Sequence, residues 1–121
     1  MRIRRLSQCT IITAGDDTRL RELLHPGRDY SFDGRYSLAH ASVAPGQATR
    51  RHRLATDEVY YILNGTGEMH IDDESEQVTS GDAVEIPPGS SQWIINTGTA
   101  NLDFLCIVDP AWRAEDEEIL D

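Results

Sequence analysis

The sequence predicts an all-β antiparallel fold, a sandwich or barrel, with one short helix near the N-terminus. Three observations carry this. From Tyr36 onward the apolar runs are short and are cut by Pro45-Gly46, Asn64-Gly65, Ser80-Gly81, Pro87-Pro88-Gly89 and Thr97-Gly98. No strands alternate with long amphipathic helices, and Gly65-x-Gly67 opens no helix, which excludes a dinucleotide-binding βα unit. The chain has 121 residues, 39% hydrophobic and 26% charged, which suits one folded domain with one core.

Taken in order, Ile3 to Ile12 reads as a short strand with a ragged pattern. Asp16-Asp17-Thr18 offers an N-cap, and Leu20, Leu23 and Leu24 fall at helical spacing before Pro26, so a helix is expected over Thr18 to Leu24. Gly27 to Gly34 is loop. Eight strands follow: Tyr36–Val43, Ala48–Leu54, Glu58–Leu63, Gly67–Asp72, Gln77–Thr79, Ala83–Ile86, Gln92–Asn96 and Leu102–Val108. The C-terminal AWRAEDEEILD is expected to form a helical turn or an acidic tail, anchored by Trp112. The chain thus reads as a single domain: an N-terminal strand and helix over 1–35, a barrel over about 36–110 and a tail over 111–121.

Charge excludes several function classes. The formal net charge is −10, which argues against nucleic acid and anionic membranes as partners. All 11 basic residues are Arg. Without Lys there can be no Schiff base, pyridoxal-phosphate lysine or P-loop. The two lone cysteines, Cys9 and Cys106, form no CxxC pair, and the basic N-terminus lacks an apolar run long enough for a signal peptide. A reducing cytoplasm is the expected location.

The chemistry concentrates between Pro45 and Gly67. His52 and Leu54 are two apart on one strand and share a face, with Arg50 on the same side. Glu58 shares its face with Tyr60 and Ile62, which points a carboxylate into the interior. There it must be paired, metal-bound or protonated; an ion pair with Arg50 is one way to satisfy it. Gln92 shares a face with Ile94 and Asn96. Cys106 lies mid-strand between Phe104 and Val108, as a small apolar side chain. His70 is expected toward solvent, and His25 at a helix end.

These residues fall into two spaced blocks. Gly46, His52, Glu58 and Gly65 fit the pattern G-x5-H-x-H-x3/4-E-x6-G, with Leu54 at the second His. Gly81, Pro87, Gly89 and Asn96 fit G-x5-P-x-G-x2-H-x3-N, with Gln92 at the His. The chain from about Tyr36 to Pro110 resembles a small single-domain cupin. The resemblance implies a double-stranded β-helix, or jelly roll, holding a divalent metal such as Fe, Mn, Zn or Ni. By that resemblance His52 and Glu58 are metal ligands and Gln92 an amide-oxygen ligand. Leu54 carries no donor, and His40 on the preceding strand is a further candidate nitrogen. Arg50 is expected to hold an anionic group of a substrate, with Tyr60, Leu54 and Cys106 lining the pocket.

Two readings of function compete, and a third is structural. The first is a metal-dependent enzyme acting on a small molecule as dioxygenase, isomerase or lyase. The second is a metal-free barrel that binds a small molecule, favoured by the loss of two His positions. The third is a structural oligomer. Strand 58–63 is apolar on both faces, and its outer face calls for cover, which predicts a homodimer.

Overall fold

The computed structural model describes residues 1–121. Eleven strands form two antiparallel sheets with the core between them. In chain order they are β1 (Ile12–Thr13), β2 (Arg19–Leu24), β3 (Ser37–Val43), β4 (His52–Leu54), β5 (Asp57–Asn64), β6 (Thr66–Ile71), β7 (Glu74–Thr79), β8 (Ala83–Ile86), β9 (Gln92–Asn96), β10 (Leu102–Asp109) and β11 (Glu117–Ile119). The larger sheet runs β1-β2-β3-β10-β5-β8 and the smaller β11-β4-β9-β6-β7. No helix is long and apolar enough to cross a membrane.

Alternation along the strands builds the interior. On β5, Glu58, Tyr60 and Ile62 are buried while Tyr61 and Leu63 are exposed. On β10, Leu102, Phe104 and Val108 are buried. Ala41, Val43, Met69, Val78, Ile86 and Ile94 complete the packing from five other strands. The Tyr60 and Phe104 rings meet with centroids 4.5 Å apart. Gly65 closes the turn out of β5 with φ +89°, and a Cβ there would sit 2.5 Å from the Asn101 carbonyl oxygen. Only glycine meets both conditions.

The strands expected from Tyr36 onward are present, with Ala83–Ile86 and Gln92–Asn96 at the predicted bounds. Three expectations fail. The helix over Thr18 to Leu24 is instead β2, which pairs Leu20 with Ala41 and Leu24 with Leu38 around an irregularity after Glu22. A segment this short gains little as an isolated helix, whereas the edge of β3 supplies partners for its backbone. The would-be cap Asp16-Asp17-Thr18 is the tip of the β1–β2 hairpin: Asp17 takes φ 69° and Thr18 N–H donates to Asp16 Oδ1 at 3.1 Å. Asp tolerates this left-handed conformation better than most residues.

The N-terminal strand shrinks to β1, preceded by a single 3-10 turn at Leu6–Gln8. Of Ala48 to Leu54 only His52–Leu54 is a strand, with Ala48 making an isolated bridge to Ile95. The C-terminal residues make a 3-10 turn at Ala114–Asp116 and then β11, which pairs with β4.

Phe104 is fully buried at the centre of this core. Phe104→Ala should lower unfolding free energy by about 3–5 kcal/mol, whereas exposed Thr99→Ala should stay within about 0.5 kcal/mol. Urea denaturation of both variants checks the contrast.

Candidate functional site

A cavity of about 550 Å³ opens between the sheets. The large sheet gives it Leu20 and Glu22 from β2, Ser37 and Ala39 from β3, Glu58 and Tyr60 from β5, and Cys106 and Val108 from β10. The small sheet gives it His52 and Leu54 from β4 and Glu117 from β11. The β1–β2 hairpin brings Asp16 and Thr18, and the C-terminal segment brings Trp112.

Three side chains join the sheets inside it. Tyr60 Oη–H donates to Gln92 Oε1 at 3.0 Å, and Gln92 Nε2–H donates to Glu58 Oε1 at 2.7 Å. All three are buried. Tyr60 and Glu58 come from β5 and Gln92 from β9, so the chain of bonds crosses the interior. Burial pushes the Glu58 carboxyl up to about 8; the Gln92 bond opposes this, and the charges of Asp16 and Glu117 add to it. At neutral pH the carboxyl is therefore mostly protonated. Its Oε1 accepts from Gln92, so the proton belongs on Oε2, the oxygen that Gln92 leaves free. Burial, with the Glu58 charge second, holds both the Tyr60 phenol and the Cys106 thiol well above their usual ranges. Tyr60 thus stays a donor and Cys106 a thiol.

His52 is fixed from the other side. Its Nδ1 lies 2.7 Å from the Arg50 carbonyl, which can only accept, so Nδ1 carries a hydrogen. Nε2 then faces Asp16 Oδ2 at 3.5 Å. Asp16 is held in its turn by the Thr18 amide, and its own carbonyl accepts from Arg50 N–H at 2.7 Å. Glu117 Oε2 accepts from Trp112 Nε1–H at 2.8 Å, and the Trp112 carbonyl accepts from His25 Nε2–H at 2.8 Å. His25 Nδ1 accepts from Gly27 N–H, which places its hydrogen on Nε2. His25, read from sequence as a helix-end residue, is therefore a buried pin for the C-terminal segment.

His52, Leu54, Glu58, Tyr60 and Cys106 all reach the cavity, and Gln92 lies buried behind it on Glu58 and Tyr60. His40 does not join them. It alternates with the inward-facing Ala39 and Ala41, so it stands on the outer face of the large sheet beside Arg19 and Arg21. Arg50 is exposed and donates to the Asp121 carbonyl oxygen instead of meeting Glu58. Asn96, the last position of the second block, is structural: Nδ2 donates to Val43 and Ala100 carbonyls at 2.9 and 2.8 Å. Asp16, Glu117 and Trp112 line the cavity without having been assigned to it from sequence, because their placement depends on the terminal pairings of β2 with β3 and β11 with β4.

A model of the cupin domain matches residues 39–108. The chain belongs to the cupin family. It is 42% identical over 108 residues to the uncharacterized protein MJ1618 of Methanocaldococcus jannaschii, a match covering 88% of this cupin and 84% of that protein. It is 32% identical over 72 residues to an oxalate-binding protein of Thermotoga maritima, covering 59% and 60% of the two chains. Among solved structures, the Streptomyces nucleoside dehydratase Pac13 superposes with a TM-score of 0.78 at 16% identity, covering 99% of this chain and 91% of that one. At that identity the shared feature is the fold.

Many cupins hold a metal, and the donors present here test whether this one is built to do so. Leu54 offers no donor, and the Gln92 amide is engaged at both ends. No three His, Cys, Asp or Glu side chains converge on one point. Three protein donors are the usual minimum even for a catalytic site with an open position. The donor set does not fit a resident divalent ion.

The raised Glu58 value has a consequence for stability. Between the ordinary carboxyl value of 4.5 and about 8, the folded state keeps a proton that the unfolded state has lost. Stability contributed by this group therefore falls as pH rises through that window, by about 1.4 kcal/mol per pH unit at most. Glu58→Gln should flatten the slope and be more stable than the parent near pH 8. Urea midpoints from pH 5 to 9 would show parallel curves if the carboxyl were ionised throughout.

Proposed function

We propose that this cupin binds a small, uncharged polar molecule in its barrel and moves protons on it without a resident metal. The observation that carries this reading is the arrangement around Glu58. One carboxyl oxygen is tied through Gln92 to Tyr60, and the side chain lines the cavity that His52 also lines. Glu58 is the proton donor, with a value near the working pH as general acids require. His52, oriented by the Arg50 carbonyl, offers Nε2 as the acceptor in its neutral form, and the Asp16 carboxylate 3.5 Å from that nitrogen stabilises the imidazolium that results.

An acid and a base in one cavity suit elimination or isomerisation. In an elimination Nε2 takes a proton from carbon, the carbon–oxygen bond breaks, and Glu58 protonates the departing oxygen, which leaves as water or an alcohol. Transfer of the proton from His52 to the Glu58 carboxylate resets the pair. That a nucleoside dehydratase shares this fold is consistent with such chemistry, as an analogy at the level of fold.

Wall charge favours a neutral ligand over the anionic one expected through Arg50. Beside the mostly protonated Glu58, Asp16 and Glu117 line the cavity. Its two guanidinium groups are at the N-terminal side: Arg28 is spent on Glu22 at 2.6 Å, and Arg4 lies over the Tyr30 ring at 3.8 Å. The likeness to an oxalate-binding protein therefore does not bring a dianion to this barrel.

The metal and metal-free readings separate on elemental analysis. Untagged protein incubated with Fe, Mn, Zn or Ni and desalted should retain far less than one equivalent. The double variant Leu54→His, Gln92→His, which restores both missing ligands, should gain near-stoichiometric metal. Ligands found by thermal shift should keep their effect in chelator, and their turnover should be lost in Glu58→Gln. Stoichiometric metal in the parent that disappears in His52→Ala would sink the reading.

The homodimer remains part of the proposal. Tyr61, Leu63 and Ile107 stay exposed on the outer face of the large sheet, and a second copy is the occupant this strip suits. Sedimentation of the parent as a dimer and of Tyr61→Glu as a monomer is expected. A monomeric parent at micromolar concentration removes the argument.

A further inference from the structure

We infer that the outer face of the large sheet carries a second, separate site that binds a small oxyanion, the phosphate or carboxylate group of a metabolite. It is a pocket of about 310 Å³ lined by Arg19, Arg21, His40 and Ser42, with Leu20, Ile11, Asn101 and Asp103 at its edges. Strand register builds it. Arg19 pairs with Ser42 and Arg21 with His40 across β2 and β3, so the two guanidinium stems and the imidazole stand side by side on one face.

These cations are free. The ion pairs of the chain use Arg2, Arg28, Arg35, Arg53 and Arg113 but neither Arg19 nor Arg21. Arg21 Nε is moreover buried without a hydrogen-bond partner. In a protein of net charge −10, two adjacent arginines left without carboxylates are unexpected, and a buried guanidinium nitrogen left unpaired is destabilising. With Nε buried, the Arg21 guanidinium is held against the sheet, and an oxyanion in the pocket meets the N–H groups that remain at its outer edge beside Arg19.

Asp103 sets the direction of the ligand. It pairs with Ser42 from the far side, on β10, so it lies two strands from Arg19 and is absent from the ion pairs of the chain. The anionic group belongs at the Arg19, Arg21 and His40 corner. A hydroxyl or other donor on the same molecule suits Asp103. The pocket is on the opposite face of β3 from the barrel cavity, so its failure or success is independent of the acid–base reading.

The test is a titration of the full chain with inorganic phosphate, and separately with acetate, followed by ¹H–¹⁵N NMR at constant ionic strength with chloride as the reference. Saturating shifts confined to Arg19, Arg21, His40 and Ser42 are expected, with affinity on the order of 1 mM. Arg21→Ala should weaken binding by about tenfold or more. If that variant misfolds, Arg21→Lys keeps the charge and loses the fork, and should still bind several-fold more weakly. Arg53→Ala, on the small sheet, should change nothing. Preference for phosphate over acetate identifies a phosphorylated ligand, and the reverse a carboxylate. Linear, unsaturating shifts, equal shifts with chloride, or loss of the dimer in Arg21→Ala without any anion binding would overturn the proposal. The last outcome would assign the arginines to a contact with a second copy.

Discussion

The hydrogen-bonded chain from Tyr60 through Gln92 to Glu58 is the constraint on which the rest of the interior depends. It joins the two sheets through buried side chains, as the Asn96 bond to the Val43 carbonyl does at the other end of β9. Its buried amide needs partners at both ends, because unpaired polar groups in such a place cost more than the bond returns. The Gln92 amide meets this need with one acceptor and one donor, and it thereby fixes which oxygen of Glu58 is left over. A histidine at that position would meet Tyr60 and Glu58 differently and leave a nitrogen for metal. The substitution of Gln for His is therefore a change in what the carboxyl is for: with no cation to neutralise it, Glu58 keeps a proton.

The same logic explains Leu54. At its position on β4 it shares the cavity with His52, two residues away on the same face. A donor there would need a partner, and an apolar side chain needs none. Leu54 and Gln92 remove complementary parts of one ligand set, and they leave Glu58 Oε2 as the carboxyl oxygen without a partner in the chain. The two departures from the family pattern are thus mutually consistent.

Much of the barrel was legible in the sequence because period-two alternation and Gly- or Pro-bearing turns report directly on strands that bury one face. Glu58, Tyr60 and Ile62 could be assigned inward from their spacing alone, as could Gln92, Ile94 and Asn96. The terminal elements were not legible, for a physical reason. RLRELL has helical spacing of its leucines and strand alternation of its arginines, and only the open edge of β3 decides between them. Asp16 looked like a cap because a cap and a hairpin tip use the same short polar side chain for the same backbone hydrogen bond. Glu117 looked like solvated tail because nothing in its neighbourhood signals that β4 has a free edge. Arg50 failed differently: face parity was argued through a stretch that is not continuous strand, so the even spacing from His52 carried no information.

The terminal segments matter beyond the bookkeeping of strands. Asp16 and Glu117 are the two acids that raise Glu58 further after burial has done most of the work, and both arrive by edge pairing from opposite ends of the chain. The N-terminal hairpin docks on the large sheet and the C-terminal strand on the small one. The polarity of the cavity is thus set by its edges, while its floor is set by the family motifs. This separation lets one barrel keep its fold while its chemistry changes. Altering either terminal strand would retune the proton held by Glu58 without touching a residue of the core.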